Sequence, residues 1–289
     1  ARRHRHAHRA GPGHAADPPR AGDNLCFTRT LDVGQVDETF ANADVVAEIN
    51  FEFGRHTGVT LEPRAQIAHW SPAEQRLTVH HSCQAPHMMQ DLYGRQFGLP
   101  ASAIRVTCKD VGGSFGIKVH AYPDDFATVA LSIMLGRPVK FVADRLESFT
   151  SDIHARHHAI KARIAVNRDG EILGFDMDDL TGIGPYSMFP RTSAIEGNQV
   201  VNLVGGPYKH KHYRAKLNVV FQNKTPTCQY RGVGHPIACA VTEALVDLAA
   251  QKIGMDPLKI RELNVIPTTP IPRPASRASS WKSSRTRPA

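Results

Sequence analysis

The sequence lacks most of the signatures that assign a chain to a class at once. Its longest apolar run, Phe126 to Leu135, is about half of the ~20 residues a membrane-spanning helix needs, so no membrane segment is expected. No apolar stretch follows the Arg- and His-rich start, so a secretory leader is not expected. The five cysteines, Cys26, Cys83, Cys108, Cys228 and Cys239, are widely spaced, and none forms the CxxC unit of a structural zinc or a redox pair. Each is expected to be a small apolar filler in a reduced, cytoplasmic protein. With 41% hydrophobic and 21% charged residues, the composition is that of a soluble globular chain large enough to bury a sizeable core.

Positive charge is what the sequence has in excess, at a formal +8. It is not spread evenly. Residues 1–22 hold five arginines against Asp17, and residues 270–289 hold Arg273, Arg277, Lys282, Arg285 and Arg287 with no acid. Together the two ends account for all of the excess, and the body is close to neutral. A nucleic-acid binder places its cations on a structured face and interleaves them with aromatics, so no nucleic-acid partner is expected. Both ends lack hydrophobic periodicity and are expected to be disordered tails around a domain at 23–269. His4, His6, His8 and His14 form a tract that fits a solvated tail better than a metal site.

Strand-like and helix-like segments alternate through the body, which predicts an α+β (mixed α/β) fold. Val45 to Phe53 reads as a strand, and Gln66 to Trp70 with Arg76 to Cys83 as a hairpin around Ser71-Pro72. Pro86 to Phe97 has helical spacing and should stop at Gly98. Ile104 to Val111 is a predicted strand, Asp124 to Leu135 a helix ending before Gly136, and Val139 to Ala143 a strand. Asn167 to Gly170 marks a turn between strands 159–166 and 172–180. Ala215 to Phe221 is a strand. Pro236 to Ile253 is the clearest helix, with Ile237, Val241, Leu245 and Leu248 on one face. A short helix over Asp256 to Leu263 follows.

Three segments could carry chemistry. Asp110-Val111-Gly112-Gly113-Ser114-Phe115-Gly116-Ile117-Lys118 follows a strand, where glycines permit either a tight turn or a close approach of backbone to a ligand. Its spacing is neither GxxxxGK[ST] nor GxGxxG. Gln229-Tyr230-Arg231-Gly232-Val233-Gly234-His235-Pro236 places an arginine between glycines at a helix entrance, suited to an anionic or oxo group or to capping a strand. Ser82-Cys83-Gln84-Ala85-Pro86-His87 puts Gln84 at a strand end before a helix.

In this order and spacing the three segments resemble the large, molybdopterin-binding subunits of the xanthine oxidase, aldehyde oxidase and carbon monoxide dehydrogenase family. Leu61-Glu62-Pro63-Arg64-Ala65, Gly136-Arg137-Pro138-Val139-Lys140, Gly205-Gly206-Pro207-Tyr208 and Arg261-Glu262-Leu263-Asn264 match as well, over about residues 30 to 267. The resemblance implies the first half of a molybdenum-cofactor-binding domain, with molybdenum–molybdopterin in its cytosine dinucleotide form. It also implies partner subunits carrying iron–sulfur clusters and FAD, and oxidation of a small-molecule substrate. By motif position, Gln84 would hydrogen-bond an oxo group, Gly112, Gly113 and Ser114 would shape the cofactor loop, Phe115 and Gly116 would lie against the metal centre, and Arg231 and Gly232 would line it. No residue of the chain is expected to ligate the metal directly.

Departures from the pattern narrow the expectation. Copper-holding carbon monoxide dehydrogenases have a cysteine where this chain has Gly232. Purine-oxidising members have an aromatic in place of Val233 and an acid in place of Val119. An aldehyde or an aromatic N-heterocycle is the remaining substrate class. None of Glu62, Glu147, Glu196 or Glu243 matches the family's catalytic glutamate, so no catalytic base is assigned and the chain is expected to be inactive on its own. A non-catalytic remnant or assembly subunit is the alternative.

Overall fold

The computed structural model describes residues 24–267. The tails, including the histidine tract, lie outside the described residues. Between them the chain runs β1 (Leu25–Val33), α1 (Val36–Asn42), β2 (Val45–Phe53), β3 (Ala65–Ser71), β4 (Arg76–His81), α2 (Pro86–Phe97), β5 (Ile104–Thr107), α3 (Pro123–Leu135), β6 (Val139–Val142), α4 (Arg145–Ser151), β7 (His158–Val166), β8 (Ile172–Gly182), α5 (Ile195–Leu203), β9 (His212–Val220), α6 (His235–Ile253) and α7 (Pro257–Asn264). The expected mixed α+β class is what the structure adopts. No helix of the described residues is long and apolar enough to cross a membrane.

Two sheets organise these elements. The larger has strand order β1-β9-β8-β7-β2, antiparallel throughout except for the parallel β8–β9 pair. Helix α6 lies across β2 and β7, with α5 against β9. Phe175, Leu217, Val241 and Leu245 are fully buried between the layers. The smaller sheet has order β5-β4-β3-β6 and is covered by α2 and α3, which bury Met89, Tyr93 and Val129 on Leu77 and Val79.

Local chemistry sets the element ends. Gly98, Gly136 and Gly254 take left-handed conformations at the ends of α2, α3 and α6 and return an N–H to the last helical turn, as their positions predicted. The turn at Asn167–Gly170 closes the β7–β8 hairpin, with Gly170 at φ 87°. Asp256 caps α7 by accepting from the Leu258 and Lys259 N–H groups. Ile237, Val241 and Leu245 face the core as expected, while Leu248 is half-buried at its margin.

Two expectations are corrected. The strand predicted over Ile104 to Val111 ends at Thr107, because its one partner β4 ends at His81 and leaves nothing further to pair with. Cys26 and Cys239 are exposed, on the edge strand β1 and the outer side of α6, so only Cys83 and Cys228 are buried fillers. Cys83 and Cys108, distant in sequence, meet where β4 and β5 end, the Cys108 thiol donating to the Cys83 carbonyl at 2.9 Å. Elements β1, α1, α4 and α5 were not anticipated. Phe175 is the largest fully buried side chain of the big sheet, so Phe175→Ala should cost about 3–5 kcal/mol of unfolding free energy in urea titrations.

Candidate functional site

The three candidate segments meet where the two sheets adjoin. Gln84 follows β4 and the glycine-rich loop follows β5, so both hang from the small sheet. Arg231 lies between β9 of the large sheet and α6. Sequence separations of more than a hundred residues are closed by backbone contacts.

Gln84 is fixed at two points. Its N–H donates to the Lys118 carbonyl at 2.9 Å, and its side-chain Oε1 accepts from Ser114 Oγ and from the Gly116 N–H at 3.2 Å. Spending Oε1 on the loop leaves Nε2, an obligate donor, without a partner among the described residues. The loop itself alternates hand: Gly113, Phe115 and Gly116 have φ of 99°, 54° and 109°. The N–H groups of Ser114 and Phe115 also have no partner among the described residues. Successive free N–H groups in such a turn make a concavity suited to an electron-rich ligand.

The loop is pressed onto the third segment. A Cβ on Gly116 would come within 2.4 Å of the Gln229 carbonyl oxygen, so only glycine allows this approach. One residue away the Arg231 N–H donates to the Phe115 carbonyl at 2.8 Å, and the Arg231 guanidinium lies 5.1 Å from the centre of the Phe115 ring. Arg231 is exposed and has no carboxylate partner among the described residues. Gly232 contacts the first turn of α6 instead of the loop: its φ is 89°, and the His235 N–H donates to its carbonyl at 3.0 Å. Gln84 and Arg231 are thus joined through Phe115-Gly116, with Gly232 set behind Arg231.

Sequence reasoning missed the residues that hold the loop. Glu62 uses Oε2 to accept from the Gly112 N–H and from Lys118 Nζ at 3.0 Å, and its own N–H donates to the Gly112 carbonyl. Lys118, only 3% exposed, also donates to Ser82 Oγ at 2.8 Å. Arg145 holds the adjoining turn through the Thr60 and Leu61 carbonyls, at 2.7 and 2.9 Å. Arg64 pairs with Asp152 and Asp124 at 2.6 and 2.7 Å and lies over the Tyr122 ring at 3.8 Å. The signal was present: Glu62 and Arg64 belong to the Leu61–Ala65 segment that had served only to establish resemblance. Among the described residues no group of three or more His, Cys, Asp or Glu side chains could hold a metal ion.

Residues 18–265 match the family described as the molybdopterin cofactor-binding domain. The chain is 31% identical over 239 residues to the 6-hydroxypseudooxynicotine dehydrogenase complex subunit gamma of Paenarthrobacter nicotinovorans, covering 83% of this chain and 30% of that one. It is 31% identical over 264 residues to the carbon monoxide dehydrogenase large chain of Hydrogenophaga pseudoflava, covering 89% and 32%. Among solved structures it is similar to quinoline 2-oxidoreductase from Pseudomonas putida 86, with a TM-score of 0.82 and 29% identity over 89% of this chain and 33% of that one. The chain therefore spans about a third of the length of these relatives.

Partial burial works to raise the Glu62 carboxyl, but the bonds from Lys118, the Gly112 N–H and Ser82 outweigh it and hold the group below the usual carboxylate range. A depressed folded value contributes stability above the ordinary range that is lost as pH falls through the folded value. Glu62→Gln should lower stability at neutral pH by about 1–3 kcal/mol and flatten the acid side of the stability profile. Thermal melts over an acid-to-neutral series check this; a neutral-pH midpoint equal to wild type would refute it.

Proposed function

The chain belongs to the molybdopterin cofactor-binding domain family, and from that premise we propose that its three joined loops form one wall of a molybdenum–molybdopterin site in an oxidoreductase large subunit. The observation that carries the reading is the set of unspent donors at one place: Gln84 Nε2, the Ser114 and Phe115 N–H groups and the exposed Arg231 guanidinium. They suit a group rich in oxo and phosphate oxygens. Gln84 would hold an oxo group and Arg231 would line the metal centre beside Phe115 and Gly116. Gly112, Gly113 and Ser114 would keep the loop close to the pterin. The cofactor, in the cytosine dinucleotide form, would supply two-electron redox chemistry at its metal.

An aldehyde or an aromatic N-heterocycle is the substrate class we propose for the whole protein. Gly232 supplies no thiolate, and at φ 89° with Pro236 Cδ 3.1 Å from a would-be Cβ, a side chain there is strained. That argues against copper-dependent carbon monoxide oxidation. Iron–sulfur and FAD subunits would carry electrons away, in the cytoplasm. Two relatives are named as a complex subunit and a large chain, which supports a multi-subunit setting.

None of the four glutamates considered as a base is free to act as one. Glu62 is held by Lys118, Glu147 accepts from the Asp144 N–H as a helix cap, Glu196 is paired with Arg156, and Glu243 is held by Tyr208 and Arg261. The 289-residue chain alone would bind without turning over. A non-catalytic assembly role is the second reading; Leu61 and Leu146, 92% and 75% exposed on the segments bracing the glycine-rich loop, favour it.

The test is metal and pterin content of the chain purified from a host that makes molybdopterin. Molybdenum by mass spectrometry and released pterin by fluorescence should co-purify with wild type. Gln84→Ala and Arg231→Ala should each lower retention about tenfold, the loss expected from one charged or polar anchor. A folded wild-type chain carrying neither molybdenum nor pterin overturns the cofactor reading, and substrate-dependent dye reduction by it overturns the inactivity.

A further inference from the structure

Behind the Arg231 segment lies a cluster of four buried ionisable side chains that the site as described does not use. Arg156, Glu196, His158 and Asp179 are between 0 and 4% exposed. Arg156 follows α4, Glu196 is in the first turn of α5, and His158 on β7 and Asp179 on β8 are diagonal neighbours across that strand pair. Arg156 and Glu196 are bound twice, by the ion pair through Nη1 and by the Arg156 backbone N–H to Oε2 at 2.8 Å. His158 Nδ1 meets both Asp179 oxygens at 2.9 Å, and its Nε2 lies 3.8 Å from Glu196. Burial opposes charge on His158, but Asp179 and Glu196 outweigh it and push the imidazole up to about 9.

Burying such a set is expensive, and apolar side chains of similar volume fill such space at least as stably. The cluster must therefore be read by what it reaches. On the side of the candidate site it makes two contacts: Arg156 Nη1 donates to the Tyr230 carbonyl at 3.0 Å, and Nη2 donates to the Arg231 carbonyl. The guanidinium also lies 5.2 Å from the centre of the Tyr230 ring. On the opposite side of the same peptide, the Arg231 N–H is bound to Phe115. A few residues on, a Cβ on Gly234 would meet the Glu196 carbonyl oxygen at 2.7 Å, so α5 is packed directly onto the end of the segment. Arg156 itself has φ 60°, a left-handed backbone that a bulky residue adopts only when its surroundings impose it.

We propose that Arg156 and Glu196 are positioning residues that clamp the backbone of Tyr230-Arg231, so that the Arg231 side chain is presented to the ligand from a fixed peptide. This rests on the reading of Arg231 as a cofactor-lining residue, and it extends the site to a layer that touches no ligand. The guanidinium fork is what the role needs. Two carbonyls and a carboxylate are bridged by one planar group, and a lysine, with one ammonium, cannot span them. His158 and Asp179 hold Glu196 from behind.

The clamp is tested by hydrogen–deuterium exchange on the full chain. In wild type, the Arg231 amide, bonded to the Phe115 carbonyl, and the Val233 amide, bonded to the Tyr230 carbonyl, should exchange slowly although Arg231 is exposed. Fast exchange there overturns the proposal however the variants behave. Arg156→Lys keeps a charge opposite Glu196 but loses the fork, and should speed exchange at the bonded Arg231 and Val233 amides roughly ten- to a hundredfold, as expected for a lost charged hydrogen bond. Asp179→Asn perturbs the same buried cluster at its far end and should loosen β7 and β8 while leaving 229–233 near wild type. Equal loosening of 229–233 in both variants would mean a general structural role and overturn the clamp. Molybdenum content of the same preparations should fall in Arg156→Lys and persist in Asp179→Asn. Its absence from wild type would sink the cofactor reading, while exchange alone still decides the clamp.

Discussion

Everything at the candidate site depends on one close approach of two backbones, Phe115-Gly116 against Gln229-Tyr230-Arg231. The glycine-rich loop belongs to the small sheet and the arginine segment to the large one. The Arg231 N–H to Phe115 carbonyl bond links the two across a gap that no side chain on Gly116 could share. Gln84 is tied to the same peptide from the other side, through Oε1 and the Gly116 N–H. One dipeptide is therefore held by both sheets, and the orientation of Gln84 and Arg231 relative to each other follows from it.

Irregular loops have no ladder to satisfy their backbone groups, so side chains must do it. Here charged side chains drawn from distant elements take that part. Glu62 and Lys118 hold the glycine-rich loop, Arg145 the preceding turn, and Arg156 the arginine segment. Each is partnered by a carboxylate or by carbonyls, so the buried cations among them have their N–H groups satisfied. The arrangement is rigid because each pin satisfies more than one group: one Glu62 oxygen serves both Gly112 and Lys118.

Much of this was legible in the sequence where the signal is local. Alternation in 45–53, helical spacing in 86–97, the Asn-Arg-Asp-Gly turn and the Pro236–Gly254 boundaries each depend on neighbours within a few residues, and the structure follows them. Helix α5 was not, because Gly197 and Asn198 interrupt its apolar pattern and Glu196 looks like a surface residue. Its burial is set by Arg156 and His158, forty and thirty-eight residues earlier, a distance no periodicity encodes. Strand β1 failed for a related reason: at the sheet edge its residues are largely exposed, and its pairing with β9 is invisible locally. At the candidate site, Gln84, Ser114, Phe115, Gly116 and Arg231 were singled out from motif order. That they share one dipeptide, with Glu62 and Lys118 as its support, required coordinates.

The same long pairing has a consequence for the order in which the chain can assemble. The small sheet spans 65–142 and can close as soon as that stretch has left the ribosome. Strand β1 pairs Leu25 with Val220, so the first strand of the large sheet has no partner until nearly two hundred further residues exist. The loop of Gly112–Gly116 thus lies within the contiguous stretch of the small sheet, while the Arg231 segment that meets it comes from the sheet whose edge is closed across almost the whole described chain.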